Sequence, residues 1–195
     1  MEDKQKELEK LTSKIIDIEW EMFHSVIASE PNSCQENKNT FQLMRWMSYS
    51  VLDEELLNAI YDNIHNSVKE GRNLMTEKYG RMEELIPPIK ESPLIQEIAS
   101  AEQQWMEEVA AKYPITFKGG NEKFLIYIKC ELETYSDKLL ELYSAFIKRA
   151  QNSGINLIEE RYNNLFRRIG YESIADKESK ERHKEFWKQN TCRGC

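Results

Sequence analysis

The sequence predicts an all-α protein, a bundle of about six to seven helices that forms a single domain over residues 1–195. Three observations support this fold class. Only 7 glycines and 5 prolines occur in 195 residues, fewer than a turn-rich sandwich or barrel uses. Charged residues make up 31% of the chain and apolar residues 40%. Apolar side chains recur with the period of a helix from one end of the chain to the other.

Seven amphipathic segments account for this periodicity, and short stretches of turn-forming residues separate them. Pro87 and Pro88 mark an irregular connector between the third and fourth segments. Gly154 ends the fifth helix and Gly170 ends the sixth. The predicted helices cover residues 3–28, 34–50, 53–76, 93–112, 121–151, 155–169 and 174–189.

Capping residues and apolar faces justify these boundaries. Two adjacent apolar stripes on the first helix indicate burial over a wide face. Ser33 and Glu36 form a capping-box pattern for the second helix. Asp53 is a suitable N-cap for the third helix, and Gly71 is expected to weaken its last turns. Pro93 lies in the first turn of the fourth helix, where proline is favoured.

Charge and hydropathy exclude two classes of partner. The chain has 34 acidic and 27 basic side chains, a net charge of −7, so we expect no nucleic-acid binding by clustered positive charge. Charged residues interrupt the first apolar segment, and no run of about 18 apolar residues occurs. A signal peptide needs an uninterrupted apolar segment of about 7–15 residues, and a membrane span needs a run of about 18. We therefore expect a cytoplasmic protein without a membrane partner.

Three glutamates fall within apolar faces on the helical wheel: Glu19, Glu102 and Glu131. A buried carboxylate without partners is costly, unless its pKa rises until it is neutral. The sequence therefore predicts a polar pocket inside the bundle, where the three act as general acids or bases or bind a metal ion. Alternatively, each lies at a helix edge or pairs with an arginine such as Arg45.

Further polar residues complete this predicted site. Arg45 would pair with a substrate carboxylate or phosphate, and Tyr127 and Tyr135 would donate hydrogen bonds. Cys34 would begin the second helix, where the helix dipole favours a thiolate, and Gln35 would lie beside it at the pocket rim. Cys34 is equally consistent with a small buried side chain. The leading hypothesis is a small-molecule enzyme or binding protein, and the sequence does not decide between the two.

Charge distribution supports a second hypothesis, a non-catalytic helical interaction module. Basic side chains outnumber acidic ones in residues 148–195, whereas acidic ones predominate in the rest of the chain. Residues 171–195 are predicted to form a basic C-terminal helix with a flexible tail, in which Phe186 and Trp187 would anchor a protein partner. Alternatively, the basic helix packs against the acidic body of its own fold.

The cysteines suggest a third hypothesis, a metal or redox protein. Cys192 and Cys195 form a C-x-x-C pair at the end of the chain, which supplies half of a zinc site at most. Bridging of this pair to Cys34 or Cys130 is one prediction, and the metal or redox hypothesis uses Cys34 with Cys192 and Cys195. A frayed tail is the alternative.

Several strings in the N-terminal two thirds of the chain carry a family resemblance. They are Ile-Glu-Trp-Glu-Met-Phe at 18–23, Ser-Cys-Gln at 33–35, Phe41, Met44-Arg45 and Glu-Leu-Glu-Thr-Tyr-Ser at 131–136. Over roughly residues 10–145 the chain resembles the uncharacterised bacterial family DUF4125. The resemblance implies no known activity. Its strings include most of the polar candidates: Glu19, Cys34, Gln35, Arg45, Glu131 and Tyr135.

Overall fold

All regular secondary structure in the described part of the chain is α-helical. The computed structural model describes residues 2–26, 37–118 and 123–191, with the backbone alone for Glu2 and for 186–191. None of the helices in these ranges has the length and apolar character needed to span a membrane. The nine described helices are α1 (Glu2–His24), α2 (Lys38–Tyr49), α3 (Glu54–Lys69), α4 (Leu74–Met82), α5 (Pro93–Lys112), α6 (Phe124–Leu132), α7 (Asp137–Asn152), α8 (Leu157–Arg168) and α9 (Ile174–Thr191).

The all-α prediction is confirmed, but the count of six to seven helices is too low, because two predicted helices are each divided. The third ends at Lys69, since Gly71 adopts φ +70°. Hydrogen bonds from Gly71 N to Val68 O and from Arg72 N to Ser67 O close a Schellman motif there. Asn73 then caps α4, so the predicted continuation to residue 76 is wrong.

The predicted fifth helix divides at a turn between α6 and α7. Ser136 accepts a hydrogen bond from Leu139 N and caps α7. Asn63 of α3 holds this turn, because its side chain donates to Thr134 O and accepts from Ser136 N. Apolar periodicity continues through the turn, so the sequence pattern conceals the break. The turn leaves Glu131 near the end of a short helix.

The remaining boundaries lie close to the predicted ones. Helix α5 covers the predicted range 93–112, with Ser92 as its N-cap. Helix α2 begins at Lys38, where Asn37 accepts a hydrogen bond from Thr40 N, and not at residue 34 as predicted. Ser33 and Cys34, the predicted cap and first-turn residue, lie outside the described residues.

One hydrophobic cluster draws side chains from every described helix, α1 to α9. Helix α1 packs against α2, α3 and α4, and α5 packs against α6, α7 and α8. Each fully buried aliphatic side chain contributes about 1.5–3 kcal/mol. Glu102 is the one charged residue among the largest fully buried side chains that the structure describes: Ile15, Leu56, Ile98, Leu132, Leu139, Leu140, Ile147, Ile174, Glu102 and Val109.

We expect Gly71→Ala to lower the free energy of unfolding by about 1 kcal/mol, because an L-residue is strained at this positive φ. No atom lies within 4 Å of the added Cβ, so the loss has no steric part. Gly80→Ala inside α4 is the matched control, and we expect it to raise stability by up to about 1 kcal/mol. Urea unfolding followed by circular dichroism measures both changes. Equal stability of Gly71→Ala and the wild type would contradict the positive φ that we assign to residue 71.

Candidate functional site

Arg45 lies at the centre of a buried group of charged and phenolic side chains from α1, α2, α4, α6 and the turn after α6. Helical periodicity turns these side chains towards the interior, where four of them carry charge. We call the group the Arg45 cluster, and it consists of Glu19, Arg45, Tyr49, Lys78, Tyr127, Glu131 and Tyr135.

The Arg45 guanidinium forms two hydrogen bonds with each of two carboxylates. Its Nε donates to Glu19 Oε2 at 2.8 Å and its Nη2 to Glu19 Oε1 at 2.5 Å. Its Nη1 donates to Glu131 Oε2 at 3.1 Å and its Nη2 to Glu131 Oε1 at 3.0 Å. Tyr49 donates a further hydrogen bond to Glu19 at 2.5 Å. Arg45 therefore joins α1 and α6 to α2 by charge-assisted bonds.

Lys78 supplies the second positive charge of the cluster. Its Nζ donates to Glu131 Oε2 and lies 3.4 Å from the centroid of the Tyr127 ring, a cation–π contact. Tyr135 donates to Glu131 Oε1 at 3.3 Å. Two cations thus balance two carboxylates, which is what buried charges require.

The surroundings of the Arg45 cluster shift the pKa of one of its carboxylates and of two of its tyrosines. Burial alone would raise the pKa of Glu131, but the charges of Arg45 and Lys78 outweigh it and hold that pKa well below its usual range. Burial raises the pKa of Tyr49 and of Tyr135 well above the ordinary tyrosine value. Both hydroxyls therefore stay protonated at neutral pH and act as donors.

The space inside the Arg45 cluster is too small for a substrate. The cavity bounded by Glu19, Arg45, Lys78 and Glu131 has a volume of about 20 Å³. Such a volume holds about one water molecule. The predicted polar interior therefore exists as an ion-paired network and not as an open chamber.

Glu102 lies in a second buried group, the Arg161 cluster, formed by Glu102 of α5, Tyr143 of α7 and Arg161 of α8. Arg161 donates to the two Glu102 oxygens at 2.9 and 3.1 Å and to the Tyr143 hydroxyl at 2.7 Å. The Tyr143 hydroxyl donates to Glu102 Oε1. Arg161 Nε, in contrast, has no hydrogen-bond partner.

All three predicted glutamates are buried, with 4%, 0% and 9% of Glu19, Glu102 and Glu131 exposed. The structure brings Glu19 and Glu131 together through Arg45 but does not place Glu102 with them, because Glu102 pairs with Arg161 of α8. The two clusters meet where the Tyr135 and Tyr143 rings lie 6.3 Å apart. The predicted substrate residues Arg45, Tyr127 and Tyr135 all belong to the first cluster.

Sequence reasoning missed the two other buried cations, Lys78 and Arg161. Arg161 lies four residues after Leu157 and four before Leu165, so it occupies the apolar stripe of α8. Lys78 lies four residues after Leu74 on the buried side of α4. The helical-wheel pattern that predicted the buried glutamates also places Arg161 on an apolar face, because residue 161 lies in the predicted sixth helix. Lys78 lies outside the predicted helices, so the sequence pattern gave no signal for its burial.

A groove of about 530 Å³ lies beside both clusters, between α2, α5, α6 and α8 and next to the end of α4. We call it the methionine groove. Its apolar lining residues are Met44, Met47, Met82, Met106, Phe117, Phe124, Ile128 and Ile158. Its polar lining residues are Ser48, Lys123, Tyr127, Arg161 and Tyr162. Tyr127 and Arg161 connect the groove wall to the Arg45 and Arg161 clusters respectively.

A more polar depression of about 660 Å³ lies near the turn between α6 and α7. Its charged lining residues already have partners. Arg72 pairs with Glu77, Lys90 with Asp137, and Glu133 with Arg81 of α4. The Lys90 and Glu133 bonds hold the loop between α4 and α5 against the turn, which is a structural role.

The described residues offer no ligand set for the predicted metal ion. Among them, no group of three or more His, Cys, Asp or Glu side chains is placed to hold a metal. The oxygens of Glu19, Glu102 and Glu131 instead accept hydrogen bonds from Arg45, Lys78 and Arg161. The other candidates lie outside the described residues: Cys34, Gln35, Cys192 and Cys195.

Helix α9 packs against its own protein. Ile174 is buried in the core, and the buried Glu178 carboxylate accepts hydrogen bonds from Ile115 N, Thr116 N and the Thr116 hydroxyl. The beginning of the basic C-terminal helix is therefore part of the fold. A partner-binding role for its end stays a prediction, because the side chains there lie outside the description.

We expect Glu131→Gln to lower the free energy of unfolding by about 3–5 kcal/mol, because the buried Lys78 loses its counter-charge. Glu97→Gln, which breaks an exposed pair with Lys148, is the control and should cost less than about 1 kcal/mol. The double variant Glu131→Gln/Lys78→Met should recover part of the loss. Denaturant unfolding of all three variants measures these changes. A Glu131→Gln protein as stable as the wild type would show that the charge pairs are dispensable.

The same carboxylate makes stability depend on pH. The Glu131 pKa is lower in the folded protein than its unfolded value of about 4.3, so the unfolded chain binds the proton first as the pH falls. Its contribution is present above pH 4.3 and is lost below it, by up to about 1.4 kcal/mol per pH unit. Unfolding free energies at pH 7 and pH 3.5 should therefore differ less for Glu131→Gln than for the wild type. Parallel pH curves would contradict this.

Comparison with known proteins identifies a family but no activity. A family model described as a protein of unknown function, DUF4125, matches residues 9–179, which is most of the chain. No curated protein and no solved structure gives a significant match. The matched residues include both acidic members of the Arg45 cluster, Glu19 and Glu131, and Arg45 itself. The chain is thus a member of the DUF4125 family.

Proposed function

We propose that this protein binds a small organic molecule in the methionine groove. Ligand sites in proteins are concave and enclose about 300–1,000 Å³. The groove, at about 530 Å³, falls within this range, whereas the cavity inside the Arg45 cluster, at about 20 Å³, does not. The proposal therefore moves the ligand from between the carboxylates to the groove beside them.

The chemistry of the groove lining supports the same conclusion. Apolar side chains predominate, and a few polar groups stand among them, as in most small-molecule sites. The described lining includes four methionines, whose flexible thioether side chains adapt to the shape of a ligand. The observation that carries the proposal is that one member of each ionic cluster, Tyr127 and Arg161, lines this ligand-sized groove.

In this proposal the buried carboxylates position the polar groups of the groove wall. Glu102 holds the Arg161 guanidinium by two hydrogen bonds. Glu131 holds Lys78 against the Tyr127 ring. Such second-layer contacts fix the orientation of groups that meet a ligand.

Acid or base catalysis by Glu19, Glu102 and Glu131 stays a prediction. Efficient general bases have a pKa near the working pH. The pKa of Glu131 lies well below its usual range because Arg45 and Lys78 offset the effect of burial, so this carboxylate is a weak base at neutral pH. Binding of a small molecule therefore has more support than chemical conversion of it.

We expect the neutral fluorophore Nile red to bind saturably to the wild-type protein. Met44→Glu introduces a charge into the apolar groove and should raise the dissociation constant at least about tenfold, equivalent to about 1.4 kcal/mol. Val68→Glu is the matched control, because Val68 is 50% exposed, Met44 is 42% exposed, and Val68 does not line the groove. Fluorescence titration measures both variants. No saturable binding, or equal weakening by both substitutions, would refute the proposal.

A further inference from the structure

The charge of the methionine groove differs from that of the protein as a whole. Acidic side chains outnumber basic ones in the chain, which has a net charge of −7. The described lining of the groove nevertheless includes two cations, Lys123 and Arg161, and no Asp or Glu. The two cations would attract an anionic ligand and repel a cationic one. The apolar walls lower the local dielectric constant, so both interactions are stronger there than in water.

Arg161 contributes an unmet hydrogen-bond donor. Among the buried side-chain nitrogens that the structure describes, Arg161 Nε is the one without a partner, although 6% of the residue is exposed. Its Nη atoms bond to Glu102 and Tyr143. Buried donors without an acceptor are uncommon in native proteins and require an explanation, of which an absent bound group is one. A ligand acceptor at the groove wall would satisfy Nε.

Among the described lining residues, the charge balance leaves one positive charge unpaired, which favours a ligand with one negative charge. Glu102 neutralises Arg161 by a two-bond ion pair, so the net charge of that pair is zero. Lys123 lies exposed at the groove and adds one uncompensated positive charge among the described lining residues. One carboxylate on the ligand would balance Lys123 and accept from Arg161, whereas the methionines and phenylalanines would contact the rest of the molecule.

Access to Arg161 Nε requires a small rearrangement. The atom has almost no solvent-accessible area in the structure, so a lining side chain must move before a ligand reaches it. Methionine has three rotatable bonds and repacks readily. The groove therefore combines a fixed polar wall, held by Glu102, with a pliable apolar wall.

We infer that the ligand of the methionine groove is a monocarboxylate with an apolar body, whose carboxylate binds Arg161 and Lys123. This inference rests on the proposed function. It adds the chemical class of the ligand, which neither the family nor the size of the groove specifies.

Three probes of equal chain length test the inference: decanoate, decanol and decylamine, each below its aggregation concentration. The measurement is displacement of Nile red from the wild-type protein. We expect decanoate to displace the fluorophore at a concentration at least about tenfold lower than either other probe, because one charge-assisted contact is worth about that factor. The advantage of decanoate should decrease as salt is added, since Lys123 is exposed.

Substitution of Lys123 and of Arg161 tests whether these two residues cause the preference for decanoate. Lys123→Gln should weaken decanoate several-fold and leave decanol unchanged, whereas Lys138→Gln, an exposed lysine outside the groove, should alter neither. Arg161→Lys keeps a positive charge for Glu102 but removes Nε, and it should weaken decanoate at least about tenfold. If Arg161→Lys does not fold, the three probes and the lysine pair still decide the question.

The outcomes separate the inference from the proposed function. If decanol or decylamine binds as tightly as decanoate, or if Lys123→Gln and Lys138→Gln behave alike, the ligand class is wrong while groove binding stands. If Nile red itself does not bind, or binds equally to Met44→Glu and the wild type, the proposed function fails and the inference fails with it.

Discussion

The ion pairs of Arg45 with Glu19 and Glu131 are the contacts on which the arrangement of the N-terminal helices and α6 depends. They join α1, α2 and α6 at one point, and Lys78 adds α4 through Glu131. Apolar interfaces tolerate small shifts of one helix along another. The Arg45 guanidinium forms two hydrogen bonds with each of two carboxylates, and a shift of any of the three helices would break a buried hydrogen bond. The cluster therefore fixes the position of these helices along one another, which hydrophobic packing alone does not fix.

The two ionic clusters have the same chemical design. In each, an arginine faces a carboxylate through paired hydrogen bonds, and a tyrosine hydroxyl joins the pair. Burial raises the pKa of the tyrosines Tyr49 and Tyr143, so their hydroxyls remain donors. The methionine groove lies beside both clusters, and one residue of each, Tyr127 and Arg161, lines it. The methionines form the part that adapts, which is a suitable division for a binding site.

Two helix breaks bring Lys78 and Glu131 together. The turn at Gly71 separates α4, which carries Lys78, from α3, and the turn capped by Ser136 ends the segment that carries Glu131. Helices α4 and α6 then pack side by side. The sequence pattern predicts continuous helices across both breaks, because apolar periodicity does not stop there. In each case a side chain that binds local backbone groups, Asn73 or Ser136, determines where the next helix begins.

The sequence alone determined the all-α class and the position of α5, and it placed Glu19, Glu102 and Glu131 on apolar helix faces, because each of these follows from the spacing of residues within one helix. It also identified Arg45 as a partner for a carboxylate. Only the tertiary structure decided which carboxylate meets which cation, that Glu102 lies apart, and that the ligand-sized space is a groove beside the charges. The physical reason is sequence distance: Arg45 and Glu131 are 86 residues apart and Glu102 and Arg161 are 59 apart. Periodicity gives the direction in which each side chain points from its own helix, whereas contact depends on how separate helices pack.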